Sequence, residues 1–146
     1  MAIKYHKRIA WFKPFVDSAH DLVDISRITH IRAFKVRPDL EELTNGSIIK
    51  YRNKYSINIL THYYIKSKEK YQHRTLSSML EDLAHELSHV PNWEHTSDHF
   101  RLQSKIMHRF ADILDKFGIT DHSTRAIPSL EKIHETIEAE EQENWK

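Results

Sequence analysis

The clearest pattern in the chain is an apolar stripe that repeats every three or four residues and stops before Pro91. Its members are Leu76, Leu80, Leu83, Leu87 and Val90. This spacing places all five side chains on one face of an α-helix. Proline lacks an N–H donor and clashes with the preceding turn, so it ends the run. The pattern therefore predicts a helix with one buried face over about residues 76–90.

Two more helices are predicted after this one. Thr96 or Ser97 can cap the next helix, and Gly118 lies just past its end. The apolar stripe of that helix consists of Phe100, Met107, Phe110, Leu114 and Phe117. Pro128 suits the first turn of a last helix, and its apolar positions are Leu130, Ile133 and Ile137. The acidic tail, residues 138–146, is predicted to be frayed.

The first half of the chain mixes helical and strand patterns. Apolar positions recur at helical spacing over residues 15–27 and predict an N-terminal helix. Residues 28–38 are rich in β-branched and aromatic side chains, which favour a strand. After the Asn45-Gly46 turn come the strand-like segments SIIKYR and KYSINILTHYYIK, while KSKEKYQH is predicted to be a charged turn. The order is helix, a small sheet of about three strands, then helices, which predicts an α+β domain.

Composition narrows the class of protein. The chain has 146 residues, which is the size of one domain, so a single domain over residues 1–146 is expected. Hydrophobic residues make up 39% and charged residues 29%, with two glycines, as in an ordered, soluble protein. The absence of cysteine excludes disulfides, thiolate zinc sites and a cysteine nucleophile.

Charge and targeting features limit the kinds of partner and the location that we expect. The net charge of +1 gives no overall field that attracts nucleic acid. Nucleic-acid binding is possible but not indicated. Two stretches could provide it, KYHKR with Trp11 and Phe12, and residues 66–74. Solvated surface is the favoured interpretation of both stretches. No segment resembles a signal peptide or a membrane span, so we expect no membrane partner and a cytoplasmic location.

The stretch HELSH, residues 85–89, carries the candidate chemistry. His85 and His89 are four residues apart, and such residues differ by about 40° around a helix, so both imidazoles can bind one metal ion. They lie opposite the leucine stripe and can face a cleft. Glu86 is adjacent and can take a proton from metal-bound water without being a ligand itself.

A third ligand is expected from the segment that follows. His95 lies on the loop side of the predicted helix cap and can reach back over the metal, whereas His99 lies in the first turn of the next helix. We favour His95 as the ligand, with His99 orienting a ligand or lining the cleft. Three imidazoles leave the fourth position of a tetrahedral zinc site open, as in catalytic sites. The predicted site is therefore Zn²⁺ on His85, His89 and His95, with Glu86 as general base.

The stretch HELSHVPNWEHTSDHF resembles the active-site segment of the SprT-like, WLM and YgjP-like group of small zinc metalloproteases. The resemblance covers residues 76–117 and matches His85, Glu86, His89 and His95, with Phe100 one residue later than the corresponding phenylalanine of the group. It implies a minimal zincin-like metallopeptidase domain. It also implies a protein or peptide substrate bound in an extended conformation. The cysteine zinc ribbon of larger relatives is missing, so DNA-linked substrates are not carried over.

The resemblance further suggests that KYSINILTHYY is the edge strand that pairs with substrate. An ordinary core strand is the equally weighted alternative. His62, Tyr63 and Tyr64, at the end of this strand, could reach the cleft, and one of them could polarise the scissile carbonyl. None of the three is assigned to the site.

The resulting functional hypothesis is a zinc-dependent metallopeptidase. The alternative is a non-enzymatic protein that keeps a zincin fold for peptide binding or regulation. The presence of Glu86 favours the enzyme, because a scaffold has no need of a base beside the metal. A further hypothesis is that the acidic tail inhibits the enzyme by lying in the cleft.

Overall fold

The fold is α+β, and the computed structural model describes residues 2–36 and 45–144. Five strands and four helices lie within these residues. The strands are β1 (Lys4–Tyr5), β2 (Ile28–Lys35), β3 (Gly46–Tyr51), β4 (Lys54–Ile65) and β5 (Lys70–His73). The helices are α1 (Lys13–Ser18), α2 (Leu76–Ser88), α3 (Ser97–Lys116) and α4 (Ile127–Asn144). The predicted α+β class is confirmed.

The sheet is mixed, and β4 is its central strand. The strand order is β1-β2-β4-β3, and β5 pairs with the C-terminal end of β4. β2 runs parallel to β4, whereas β3 and β5 run antiparallel to it. The suggestion that β4 is a substrate-binding edge is therefore wrong, because neighbouring strands occupy both of its sides. Within the part of the chain that the structure describes, β3 lies at the end of the sheet instead.

A tight turn sets the register of β3 against β4. Arg52 and Asn53 have φ of 50° and 64°, so both central residues of the turn are left-handed. Two-residue hairpins favour this geometry because its twist matches that of the flanking strands, and asparagine adopts it readily. Tyr51 consequently pairs with Lys54, and Gly46 at the start of β3 pairs with Ile59.

The sheet has more strands than the three predicted. The segment predicted as a charged turn contains β5, which pairs with β4 from His62↔His73 to Ile65↔Lys70. The Tyr64 and Tyr71 rings contact each other at a centroid distance of 5.3 Å. This cross-strand contact stabilises a strand whose lysines, taken alone, predict solvent-exposed turn.

The N-terminal helix is shorter than predicted. α1 ends at Ser18 rather than continuing to residue 27. The Ser18 hydroxyl donates to the Phe15 carbonyl at 2.6 Å, and His20 Nδ1 lies 2.8 Å from the Asp17 carbonyl oxygen. Side chains that bind backbone carbonyls in this way compete with further helical hydrogen bonds. Val23 still reaches the core, but through turns rather than a helix.

The leucine-rich helix matches its prediction. α2 begins after Thr75, whose Oγ1 accepts from the Ser78 N–H at 3.3 Å. Every member of the predicted stripe is buried against the sheet and the other helices: Leu76, Leu80, Leu83, Leu87 and Val90. Burial of each such side chain contributes roughly 1.5–3 kcal/mol, so this face anchors the helix. The opposite face of α2 is left to the histidines.

The buried face of α3 is rotated from the one predicted. Thr96 caps the helix by accepting from the His99 N–H at 3.3 Å, and Gly118 with φ of 71° follows the end, both as predicted. Phe100, however, is 68% exposed and does not belong to the core. The buried positions are His99, Ile106, Phe110 and Leu114. The helix therefore turns an imidazole, rather than the neighbouring phenylalanine, toward α2.

A buried arginine connects α2 to the sheet beside the cleft. Arg74 is only 4% exposed and forms an ion pair with Asp82 of α2. Its Nη1 also donates to the Leu60 carbonyl at 3.2 Å and to the Asn45 carbonyl at 3.4 Å. The guanidinium thus joins α2, β4 and the residue before β3, and it sets the separation of α2 from β3.

The acidic C-terminal segment is helical as far as it is described. α4 continues to Asn144, so the prediction of a frayed tail is wrong for residues 138–144, and residues 145–146 lie outside the described part. Glu138 and Glu141 lie 3.4 and 3.9 Å from Lys13 Nζ. These contacts hold α4 against the N-terminal region, and no described residue of α4 lines the cleft.

Two further expectations bear on partners. Trp11 and Phe12 are buried in the core, so they are not available to stack on nucleic-acid bases. Among residues 2–36 and 45–144, none of the helices has the length and apolar character needed to cross a membrane.

The first testable prediction concerns the buried ion pair. Asp82→Ala leaves the Arg74 guanidinium buried without its carboxylate, so we expect a loss of about 3–5 kcal/mol in the free energy of unfolding. Urea denaturation measures this loss. Arg101→Ala is the matched control, because its pair with Asp98 is solvent-exposed and should contribute less than about 1 kcal/mol. Equal, small losses in both variants would show that Arg74 does not hold the fold together.

Candidate metal centre

Four imidazoles gather where α2 meets α3. His85 and His89 lie one turn apart at the end of α2, with ring centroids 4.9 Å apart. His95 comes from the loop between the helices, and His99 from the first turn of α3. Each of the latter two rings lies between 4.2 and 5.1 Å from the rings of the α2 pair. The helix pair therefore builds one histidine cluster from three separate segments.

Hydrogen bonds to acceptor groups orient the two imidazoles of α2. His85 Nδ1 lies 3.0 Å from Gln103 Oε1, and His89 Nδ1 lies 3.1 Å from the Asn92 carbonyl oxygen. Both partners can only accept, so each ring carries its proton on Nδ1 and a lone pair on Nε2. The two Nε2 atoms face each other at 3.3 Å. Two lone pairs at this distance have no proton to share, but they suit a shared cation.

The loop histidine, the predicted third ligand, lies close to His85. His95 Nε2 lies 3.1 Å from His85 Nε2. In a tetrahedral site with metal–nitrogen bonds of about 2.1 Å, ligand nitrogens are about 3.4 Å apart. The observed separations of 3.1 and 3.3 Å are close to this value. His85 Nε2 thus lies within this range of both His89 Nε2 and His95 Nε2, whereas the histidines whose ligand atoms all lie within 4.8 Å of one another are His85, His89 and His99.

His99 provides a second way to complete the set. Its ring is buried, and one ligand atom from each of His85, His89 and His99 lies within 4.8 Å of the others. These three histidines could hold a metal ion. His99 Nε2, however, donates to the His85 carbonyl at 3.0 Å, which leaves only Nδ1 with a lone pair. The assignment of His95 as third ligand, with His99 supporting the backbone of α2, stays a prediction.

Burial keeps the inner histidines neutral. Removal from water lowers the pKa of His89, and the neighbouring imidazoles lower it further, while its hydrogen bond to Asn92 acts in the opposite direction. Burial likewise lowers the pKa of His99. The neutral imidazole is the form that binds a metal, so the cluster is prepared for an ion at neutral pH.

Glu86 lies beside the histidines and against the sheet. Burial raises the pKa of Glu86 to about 7, and the negative charge of Asp82 adds to the effect. The carboxylate packs on the start of β3, because a Cβ placed on Gly46 would lie 3.4 Å from Glu86 Oε1. A larger residue than glycine at this position would press on the carboxylate, so Gly46 leaves room for it.

A cleft of about 240 Å³ opens next to His85 and Glu86. Its walls come from the start of β3, from α2 and from α3, and its lining residues are Asn45, Gly46, Glu81, Asp82, His85, Glu86 and Gln103. The suggestion that His62, Tyr63 or Tyr64 reaches the cleft is not supported, because none of them lines it. They lie where β4 pairs with β5, and the His62 ring contacts His73 at a centroid distance of 4.4 Å.

Several residues of the site were missed in the sequence. Gln103 follows His99 by four residues on α3, so the two share a helix face, and this spacing could have indicated a second supporting contact. The Asn92 carbonyl left no sequence signal, because any residue offers a carbonyl. Gly46 was predicted as part of a turn, whereas its position against Glu86 depends on how the sheet meets α2.

The chain matches no protein-family model, no curated protein and no solved structure. The resemblance to the SprT-like group therefore rests on residues 76–117 alone and stays a prediction.

The second testable prediction separates the two candidate third ligands. His95→Ala should abolish stoichiometric zinc binding, because it removes one of the three proposed ligands. His99→Ala should weaken binding by about 10–100-fold, as expected when a supporting hydrogen bond is lost. Competition with a chromophoric chelator measures both affinities, and the exposed His108→Ala is the control that should keep wild-type affinity. A greater loss in His99→Ala than in His95→Ala would reverse the assignment.

The third testable prediction concerns the metal-free protein. Because the pKa of Glu86 is raised in the native state, the native carboxyl keeps its proton between about pH 4.5 and about pH 7 while the unfolded chain loses it. Unfolding therefore becomes easier as pH rises through this window. Glu86→Gln removes the effect, so its stability advantage over the wild type should grow by on the order of 2 kcal/mol from pH 4.5 to pH 7.5.

Urea denaturation in the presence of a chelator measures this difference at each pH. Histidines that titrate in the same window contribute equally to both proteins and cancel in the comparison. A difference that stays constant with pH would show that burial does not perturb Glu86.

Proposed function

We propose that this protein is a zinc-dependent metallopeptidase of the zincin type, similar to the SprT-like group. One observation carries the proposal. The Nε2 lone pairs of His85 and His89 face each other at 3.3 Å, each fixed by a hydrogen bond on the opposite nitrogen, with the Glu86 carboxylate beside them. A structural role does not require a buried carboxylate at this position, whereas hydrolysis requires a base there.

The donor chemistry favours zinc as the metal. Neutral imidazoles suit zinc well, and three of them leave one coordination position open, as catalytic zinc sites do. When bound, zinc supplies Lewis acidity that lowers the pKa of a coordinated water molecule to near 7. We assign His85, His89 and His95 as the ligands, and Gln103 and His99 as the residues that orient them through hydrogen bonds.

Glu86 is assigned as the general base. It is the residue after His85, and it lines the cleft. Its pKa of about 7 suits a group that takes up a proton and gives it away again near neutral pH. In this assignment Glu86 accepts a proton from the attacking water and later donates it to the amine that leaves.

The proposed binding surface for the substrate backbone is the edge of β3 that faces away from β4, with which no other strand pairs among residues 2–36 and 45–144. Asn45 accepts from the Leu60 N–H, so it faces β4. Main-chain groups alternate in direction along an antiparallel strand, so Gly46, Ile48 and Lys50 direct their N–H and C=O groups away from β4. A peptide in extended conformation can pair with these groups along the cleft. This strand replaces β4 in the sequence-based suggestion.

The fourth testable prediction is that Glu86→Gln keeps one zinc per chain but lowers peptidase activity by at least about 100-fold, because the amide cannot accept the proton. Digestion of a peptide library, read by mass spectrometry, measures the activity, and metal analysis gives the zinc content. Glu131→Gln on the exposed face of α4 is the matched control and should retain full activity. Peptide cleavage that persists in Glu86→Gln would refute the mechanism. A zinc-loaded wild type that binds peptides without cleaving them would instead support the peptide-binding alternative.

A further inference from the structure

An exposed tryptophan stands next to the metal centre. Trp93 is 47% exposed, in contrast to the buried Trp11. Its ring lies 6.1 Å from the His89 ring and 6.1 Å from the Tyr55 ring. Exposed aromatic side chains are common, and what distinguishes Trp93 is its position beside the histidine cluster. The ring therefore offers an apolar surface directly beside the histidines.

The Tyr55 side chain holds the Trp93 ring in position. Tyr55 is buried, and its hydroxyl donates to the Val90 carbonyl at 3.1 Å. The Arg27 guanidinium covers the Tyr55 ring at 4.9 Å and donates to its hydroxyl at 3.2 Å. Trp93 thus rests on a ring that is fixed to the end of the loop that carries it. A ligand that contacts Trp93 would meet a pre-organised surface.

Trp93 lies beside His89, outside the polar cleft that His85 and Glu86 line. Tyr55 pairs with Lys50, so Trp93 lies near the C-terminal end of β3. The N-terminal end of β3 begins at Gly46, against Glu86. That end is lined by polar side chains: Asn45, Glu81, Asp82 and Gln103. The surface along β3 is therefore chemically asymmetric, aromatic where Trp93 lies beside His89 and polar where the cleft lies beside His85.

This asymmetry gives a bound peptide a direction. Antiparallel pairing is more stable per residue than parallel pairing, so a peptide on the free edge of β3 should run from the Lys50 end toward Gly46. Residues on the N-terminal side of the bond held over the histidines then lie at Trp93. Residues on the C-terminal side lie at the polar end.

We propose that the surface along β3 selects peptides with a large apolar or aromatic side chain on the N-terminal side of the bond held over His85 and His89, and that Trp93 is the residue that makes this contact. The inference rests on the proposed function in one respect, that a peptide pairs with β3. It does not depend on whether the bond is then hydrolysed.

The test measures binding to the zinc-loaded Glu86→Gln protein, in which peptides remain intact. Three eight-residue peptides share a Gly/Ser/Ala background and carry Phe before the central bond, Phe after it, or Ser at both positions. Calorimetric titration should show about tenfold tighter binding of the first peptide than of the other two. Equal affinities, or tighter binding of the second peptide, would overturn the proposal.

Variants assign the preference to one side chain. Trp93→Ala should remove the tenfold preference, and Trp93→Phe should keep most of it, since the ring still offers an apolar face. Tyr51→Ala is the control, because Tyr51 is more accessible than Trp93, at 68% exposure, but lies on the other face of β3 from Ile48. Loss of the preference in Tyr51→Ala would refute the assignment to Trp93. Zinc content is measured for each variant. If Trp93→Ala no longer binds zinc, the Trp93→Phe protein and the three-peptide comparison still test the preference.

The outcome separates this proposal from the proposed function. If the wild-type protein cleaves none of the peptides but Glu86→Gln still prefers the first, the peptidase assignment fails and the peptide preference stands. If the wild type cleaves all three equally and binding shows no preference, the peptidase assignment stands and the preference fails.

Discussion

The arrangement of the site depends on the buried Arg74. Its guanidinium bonds Asp82 on α2 and the carbonyls of Leu60 and Asn45, so one side chain spans the helix, the central strand and the start of the edge strand. A buried charge with these partners allows little variation in their separation. The width of the cleft between β3 and Glu86 follows from that constraint. The Arg74 contacts therefore both stabilise the fold and fix the geometry of the site.

The geometry of the candidate metal centre depends on a second physical requirement. An imidazole that binds a metal must present a lone pair to it. Hydrogen bonds from Nδ1 to Gln103 and to the Asn92 carbonyl fix which nitrogen faces inward. Burial then favours the neutral form of His89. These contacts come from α3 and from the loop after α2, so α2 does not orient its imidazoles by itself. The neighbouring elements contribute as much to the centre as the HELSH segment does.

Local patterns predicted the elements whose structure depends on near neighbours. The leucine stripe of α2, the Thr96 cap and the glycine after α3 all follow from helical spacing or from backbone preference, and all are found in the structure. Predictions failed where a distant partner decides the outcome. β5 forms because Tyr71 packs on Tyr64 across the hairpin, and Phe100 is exposed because the packing of α3 on α2 turns His99 inward.

The sequence by itself determined the α+β class, the pairing of His85 with His89 on one helix face, and Glu86 as their neighbour, because each of these follows from chain order and helical periodicity. Only the tertiary structure decided that β3 rather than β4 lies at the edge, since strand order depends on which strands pair over long separations. It also decided that His95 and His99 both reach the α2 pair, and that Trp93 lies beside His89. Those relations are set by the packing of α2, α3 and the sheet on one another, and no local pattern encodes them.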